Sequence, residues 1–152
     1  FQDLANSDEF DRFRKALNAA AEPVDEVVYT HVKGYGAHPI DATTYQVSVM
    51  AVSNPAGYLG AVDKLMGNNV MQGLPGGFDI WQIVAGGPPG ASHIVVFANN
   101  SFAESMNFNI ESASDPSFVR DFSAVGKYRT ILGSSWTTSP VKYGSAELDS
   151  IR

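Results

Sequence analysis

Cysteine is absent from the chain, which excludes disulfides, thiolate nucleophiles, iron–sulfur clusters and cysteine-ligated zinc together. Long apolar runs are missing too: "FDIWQIVAGGPPGASHIVVFA" is broken by glycine and proline well short of the roughly 18 residues a membrane-crossing helix needs. Cationic residues are few and scattered, 10 Lys and Arg against 16 Asp and Glu, for a formal charge of -6. With no basic stripe to meet a phosphate backbone, neither nucleic acid nor a membrane is an expected partner. The familiar catalytic signatures are also lacking. There is no Gly-x-Ser-x-Gly elbow and no His-Glu-x-x-His pair, and His31, His38 and His93 have no paired spacing, so no metal site is expected. "GGPPGAS" lacks the lysine of a phosphate loop and its prolines remove amide donors, while "GYGAHP" has Pro39 where a dinucleotide fingerprint needs its third glycine. No cofactor is expected.

What is present suits one domain. The 152 residues are 44% hydrophobic, enough for one sizeable core and too little for two. We expect a single domain over 1–152, with residues 1–42 an N-terminal helix and strand extension, 43–143 the core and 144–152 a tail. The chain begins at Phe1 rather than Met, which leans toward an exported mature form, periplasmic or secreted. Asn99-Asn100-Ser101 matches a glycosylation sequon, but a helix start explains the same residues better.

Ser7 is placed to cap a first helix striped by Phe10, Phe13 and Leu17 and ended by Pro23. "EVVYTHV" then reads as a strand and "KGYGAHPIDA" as a loop. "TTYQVSVMAVS" alternates as a strand and runs into Asn54-Pro55, a cap followed by proline at the first helical position. The helix it opens buries Tyr58, Leu59, Val62 and Met66 and stops at Gly67. After a loop, "NNVMQGLPGG", come "FDIWQIVA" and "SHIVVFA", joined by "GGPPG" as antiparallel strands. Phe102, Met106 and Phe108 fall in a short irregular or helical piece. Asp115-Pro116 repeats the cap-plus-proline start for a helix striped by Phe118, Phe122 and Val125. "SSWTTSPVKY" closes as an edge strand containing Pro140.

From Thr44 to Tyr143 the order is strand, helix, strand, strand, helix, strand. That order, with the echo between "SVMAVSNP" and "IVVFANNS", predicts an α+β fold: a ferredoxin-like βαββαβ sandwich with an antiparallel sheet, preceded by a helix and an extra strand. The strands over Tyr45–Val52 and His93–Ala98 should be central. The edges should carry Asp79, Gln82, Thr137 and Thr138, Asp79 being an exposed charge that discourages aggregation. Both faces of the central strands are apolar, so something must cover the face the helices leave, either a partner sheet or the N-terminal helix.

From "TTYQVSVMAVSNPAGYL" through "SSWTTSPVKY" the chain resembles the dimeric α/β-barrel superfamily in element order and strand polarity. The resemblance implies a homodimer packed sheet to sheet around a pocket, in a group that spans cofactor-independent monooxygenases, haem-binding and haem-degrading proteins, lactone isomerases and proteins with no assigned activity.

For such a pocket the residue types that suit a ligand are Tyr45, Trp81 and Trp136, whose rings stack and whose polar tips orient a substituent, with Gln82 and Phe97 beside them. His93 is the candidate general base, since imidazole titrates near working pH. The more common state of such a residue is a strand-end histidine satisfied by backbone or water. If Ala85 lies opposite Ser92, His93 shares a face with Gln82 and Phe97, and Trp81 takes the other. Three functions fit: binding of a small apolar or aromatic ligand between two sheets, a cofactor-independent monooxygenase or isomerase using His93, or an interaction module without a ligand.

Overall fold

The computed structural model describes residues 8, 12, 15, 16, 19, 27–37, 39, 42 and 44–138. The chain runs β1 (Val28–Gly36), β2 (Thr44–Val52), α1 (Pro55–Met66), a 3₁₀ turn (Asn69–Gly73), β3 (Gly76–Ala85) and β4 (His93–Asn99). It continues through α2 (Phe102–Ala113), α3 (Pro116–Gly126) and β5 (Arg129–Thr138). Asp8, Arg12, Lys15, Ala16 and Ala19 are helical and exposed. Most of the helix expected from Ser7, together with His38, Pro140 and the tail, lies outside the described residues.

The caps form as their chemistry requires. Asn54 accepts the Gly57 amide at 3.0 Å to open α1 with Pro55 at its first position, and Asp115 accepts the amides of Ser117 and Phe118, both at 2.8 Å, to open α3. At α2 the cap is Ser101, which accepts the Glu104 amide at 3.2 Å; Asn99 is buried at the end of β4. The stretch from Phe102, expected as a short irregular or helical piece, is thus a helix of 12 residues.

The sheet is antiparallel throughout, in the order β1-β3-β4-β2-β5. Strands β2 to β5 give the ferredoxin-like arrangement, with the expected two at the centre. Two expectations need correction. "KGYG" is not loop but the second half of β1, and β3 is not an edge, because β1 pairs along it from Val28 opposite Ala85 to Gly36 opposite Gly77. Asp79 accordingly faces Gly34 across a ladder instead of guarding an open edge.

One irregularity in β1 matters for what each face carries. His31 pairs with Trp81 but Lys33 with Ile80, so Val32 is an extra residue in the strand. His31 joins the face of Trp81, while Lys33 and Tyr35 join the face of Ile80 and Phe78, where Asp63 of α1 takes the Lys33 ammonium at 2.6 Å and the Tyr35 hydroxyl at 2.8 Å.

The core lies between one sheet face and the helices. Met50, Phe78, Ile80 and Val95 from the sheet pack with Tyr58, Val62 and Leu65 of α1 and Val125 of α3; full burial of such a side chain is worth about 1.5–3 kcal/mol. The opposite face presents Val47, Val49, Trp81, Ile94 and Val96, all half-buried.

Candidate functional site

The register of β3 and β4 fixes where the expected site residues point. Gln82 lies opposite His93, and Phe78 opposite Phe97, a slip of two residues from the pairing of Ala85 with Ser92. Because a slip of two preserves facing, His93, Gln82 and Phe97 do share a face and Trp81 does take the other. Tyr45 is on Trp81's side, and Trp136, paired through Gln46 to Phe97, is on the helix side. The structure therefore groups Gln82, His93, Phe97 and Trp136 on the helix side and sets Tyr45 and Trp81 apart. A pocket enclosed by two sheets would meet only the latter two.

His93 is only 4% exposed, at the start of β4 between Met50 and Gln82. Its Nδ1 lies 2.9 Å from the Ser92 hydroxyl, which also accepts the Val52 amide at 2.8 Å. The arrangement is satisfied with the hydroxyl donating to Nδ1 and the ring proton on Nε2. Burial pushes the imidazole pKa down, so the ring is neutral at ordinary pH. The Tyr58 ring is its aromatic neighbour, centroids 6.4 Å apart.

On the open face, Nε2 of His31 lies 2.9 Å from the Asp79 carboxylate, and its ring stands edge-on to Trp81 with centroids 4.7 Å apart. Both partners of this pair reach solvent, His31 being 46% exposed. Among the described residues no third histidine or carboxylate joins them to make a metal site.

A cavity of about 80 Å³ opens between the helices and the sheet. Phe78, Val95 and Phe97 form its floor, Val62 and Leu65 one wall, and Phe118, Phe122 and Val125 another. Its polar groups are three: Tyr58, Asn109 and Arg129. Phe118 stacks on Phe122 with centroids 5.6 Å apart and meets Phe108 edge to face at 6.3 Å, so the α2–α3 side is lined with rings. A second cleft of about 50 Å³ holds Phe97, Gln46 and Trp136, and shares Phe108 and Asn109 with the first. A groove of about 240 Å³ between α2 and α3 shares Asn109, Phe118 and Phe122 with it. None of the three is lined by His93, Tyr45, Trp81 or Gln82.

Two groups central to this cavity carry no signal in the sequence. Tyr58 reads as one more buried position on a helix stripe. Arg129 precedes the stretch from which a strand is predicted and looks like a surface cation. In the structure Arg129 opens β5, lies beside the Tyr58 hydroxyl and covers the Phe122 ring at 5.2 Å. Burial pushes the Tyr58 pKa up against the pull of Arg129, which keeps the phenol neutral and able to donate.

No protein-family model and no curated protein sequence matches the chain. Among solved structures it is similar to a major regulator of staphylococcal pathogenesis, at 14% identity over 80% of this chain and 74% of that one, with a TM-score of 0.48. It is also similar to an anthrone oxidase-like protein, at 12% identity over 94% of this chain and 70% of that one, with a TM-score of 0.47.

Proposed function

We propose that this protein binds a small aromatic molecule in the cavity between its helices and its sheet. The observation that carries this reading is the lining: phenylalanine rings from α2, α3 and the sheet surround a space whose polar groups are confined to Tyr58, Asn109 and Arg129. Apolar walls with a few convergent polar groups are the usual makeup of a small-molecule site. The cavity alone is smaller than the roughly 150 Å³ that holds a benzene ring. Phe118 lines both this cavity and the α2–α3 groove, and rotation of that ring would join the two spaces and admit one.

The pocket in this reading belongs to a single chain. A homodimer remains part of the proposal through the other face, where Val47, Val49, Ile94 and Val96 form a continuous half-buried apolar surface around Trp81. Native mass spectrometry of the full chain reads both points at once. A dimer supports the sheet-to-sheet packing and a monomer removes it, whereas retained small-molecule mass speaks for the cavity.

The direct test is thermal denaturation with indole and toluene, for the unaltered chain and for Val125→Met, which extends a flexible side chain into the cavity. Stabilisation of the former that is lost in the latter is the expected result. Equal shifts in both proteins would place binding elsewhere.

A further inference from the structure

Three of the described cations that touch the packed helices are matched to carboxylates. Lys33 meets Asp63, and Lys64 and Arg120 both meet Asp121, at 2.6, 3.3 and 3.1 Å. Arg129 has no carboxylate partner among the described residues; its neighbours are the neutral Tyr58 hydroxyl and the face of Phe122. In a chain of net charge -6 an acid partner would be easy to supply. A guanidinium held at the rim of an apolar cavity without one keeps its hydrogen-bonding fork for something else.

We propose that the molecule bound in this cavity is an aromatic carboxylate, with Arg129 and Tyr58 holding its carboxylate and the phenylalanine walls holding its ring. This rests on the cavity being a ligand site, and it adds the class of ligand. The planar fork of Arg129 matches a carboxylate edge to edge with two parallel hydrogen bonds, and the neutral phenol beside it supplies a third donor. The guanidinium carbon lies 5.2 Å from the centroid of the Phe122 ring, a cation–π contact that limits its movement and lowers the freedom lost on pairing. A phosphate or sulfate ester fits less well, because one cation is all that the described lining offers to a group of higher charge. The number of rings is set by the space: one ring fits once the cavity joins the α2–α3 groove.

The test titrates the full chain calorimetrically with benzoate, benzamide and benzyl alcohol, which share a ring and differ in charge. Benzoate is expected to bind at least roughly tenfold tighter than benzamide, and the advantage to shrink as salt is raised. In Arg129→Gln the two should converge to within about twofold, with the affinity for benzyl alcohol unchanged. If Arg129→Gln does not fold, as judged by circular dichroism, Arg129→Lys asks the same question. It keeps the charge and loses the fork, so benzoate affinity should fall several-fold while benzamide is unaffected; an unchanged benzoate affinity overturns the proposal. Benzoate binding no tighter than benzamide in the unaltered chain overturns the carboxylate and leaves the aromatic site standing. Failure of all three to bind overturns the site itself, and the carboxylate with it.

Discussion

The Ser92 hydroxyl stands 2.9 Å from Nδ1 of its neighbour His93 and at the same time accepts the Val52 amide from the adjacent strand. The imidazole is thereby tied into the β2–β4 ladder, and burial favours its neutral form. The folded pKa lies below the unfolded value of about 6.5. The unfolded chain therefore binds more protons between those two values. Stability is whole above the unfolded pKa and declines as pH falls toward the folded one. Urea midpoints measured from about pH 8 to about pH 5 should drop more for the unaltered chain than for His93→Gln. Parallel curves would show that His93 is not buried as a neutral base.

Asp121 gives a second and separate acid limb. It is held by Arg120, by Asn68 at 3.2 Å and by Lys64, joining the end of α1 to α3, and these partners draw its pKa down to about 2. A depressed carboxylate contributes stability above its unfolded pKa and loses it as pH falls through the folded one. Melting temperatures taken between about pH 4 and pH 2 should fall more steeply for the unaltered chain than for Asp121→Asn. The variant should also be less stable at neutral pH.

Two glycine substitutions should have opposite signs. A Cβ on Gly76 would run into the Ala98 carbonyl and come within 2.8 Å of the Asn99 side-chain oxygen, both fixed in β4, so Gly76→Ala should cost about 3 kcal/mol. At Gly60, inside α1, a Cβ meets nothing within 4 Å, and Gly60→Ala should stabilise by about 0.5–1 kcal/mol through helix propensity and a less flexible unfolded chain. Urea unfolding of both variants is the check, and a loss at Gly60 would mean that α1 is constrained there by something outside the described residues.

β1 is fastened to α1 by one carboxylate. Asp63 accepts both Lys33 and the Tyr35 hydroxyl, and the ring of Tyr35 stacks on Phe78 with centroids 5.0 Å apart. Asp63→Ala should speed amide hydrogen exchange in Lys33, Gly34 and Tyr35 while leaving β2 and β4 unchanged. Tyr35→Phe, which keeps the stacked ring, should give a smaller effect. Faster exchange across the whole sheet in either variant would show that β1 opens only with the fold.

The legible parts of the fold were those with strong local punctuation. Asn54-Pro55 and Asp115-Pro116 announce α1 and α3, and the alternating valines of β2 and β4 announce the centre of the sheet. The hidden parts have physical reasons. The end of β1 looks like a loop because Gly34 and Gly36 are there. Gly36 is needed for its φ of +75° and for close approach, since a Cβ would lie 2.5 Å from the Gly76 carbonyl oxygen. α2 is obscured because its polarity is inverted: Ser105 and Ser112 are buried while Phe102 and Ile110 are exposed, so the usual stripe marks the wrong side. The two-residue slip between β3 and β4 follows from a connection that uses left-handed Gly86, Gly87 and Gly90, whose geometry side-chain pattern does not encode. As for the site, Phe97 lines the helix-side cavity and Trp136 the cleft beside it, a different place from the sheet-to-sheet pocket for which the residue types suggested them. Tyr58 and Arg129 were not singled out, because their pairing depends on how α1 and β5 meet.

Val32, the extra residue in β1, changes what kinds of mutation this strand can absorb. By spacing alone His31 and Lys33 belong on one side. The inserted residue divides them, sending one to Asp79 on the open face and the other to Asp63 under the helix. A substitution at either position removes one contact. A one-residue deletion would reverse the parity of everything before it and exchange inside for outside from Val28 to His31. The strand should therefore drift freely in residue identity across evolution and hardly at all in length.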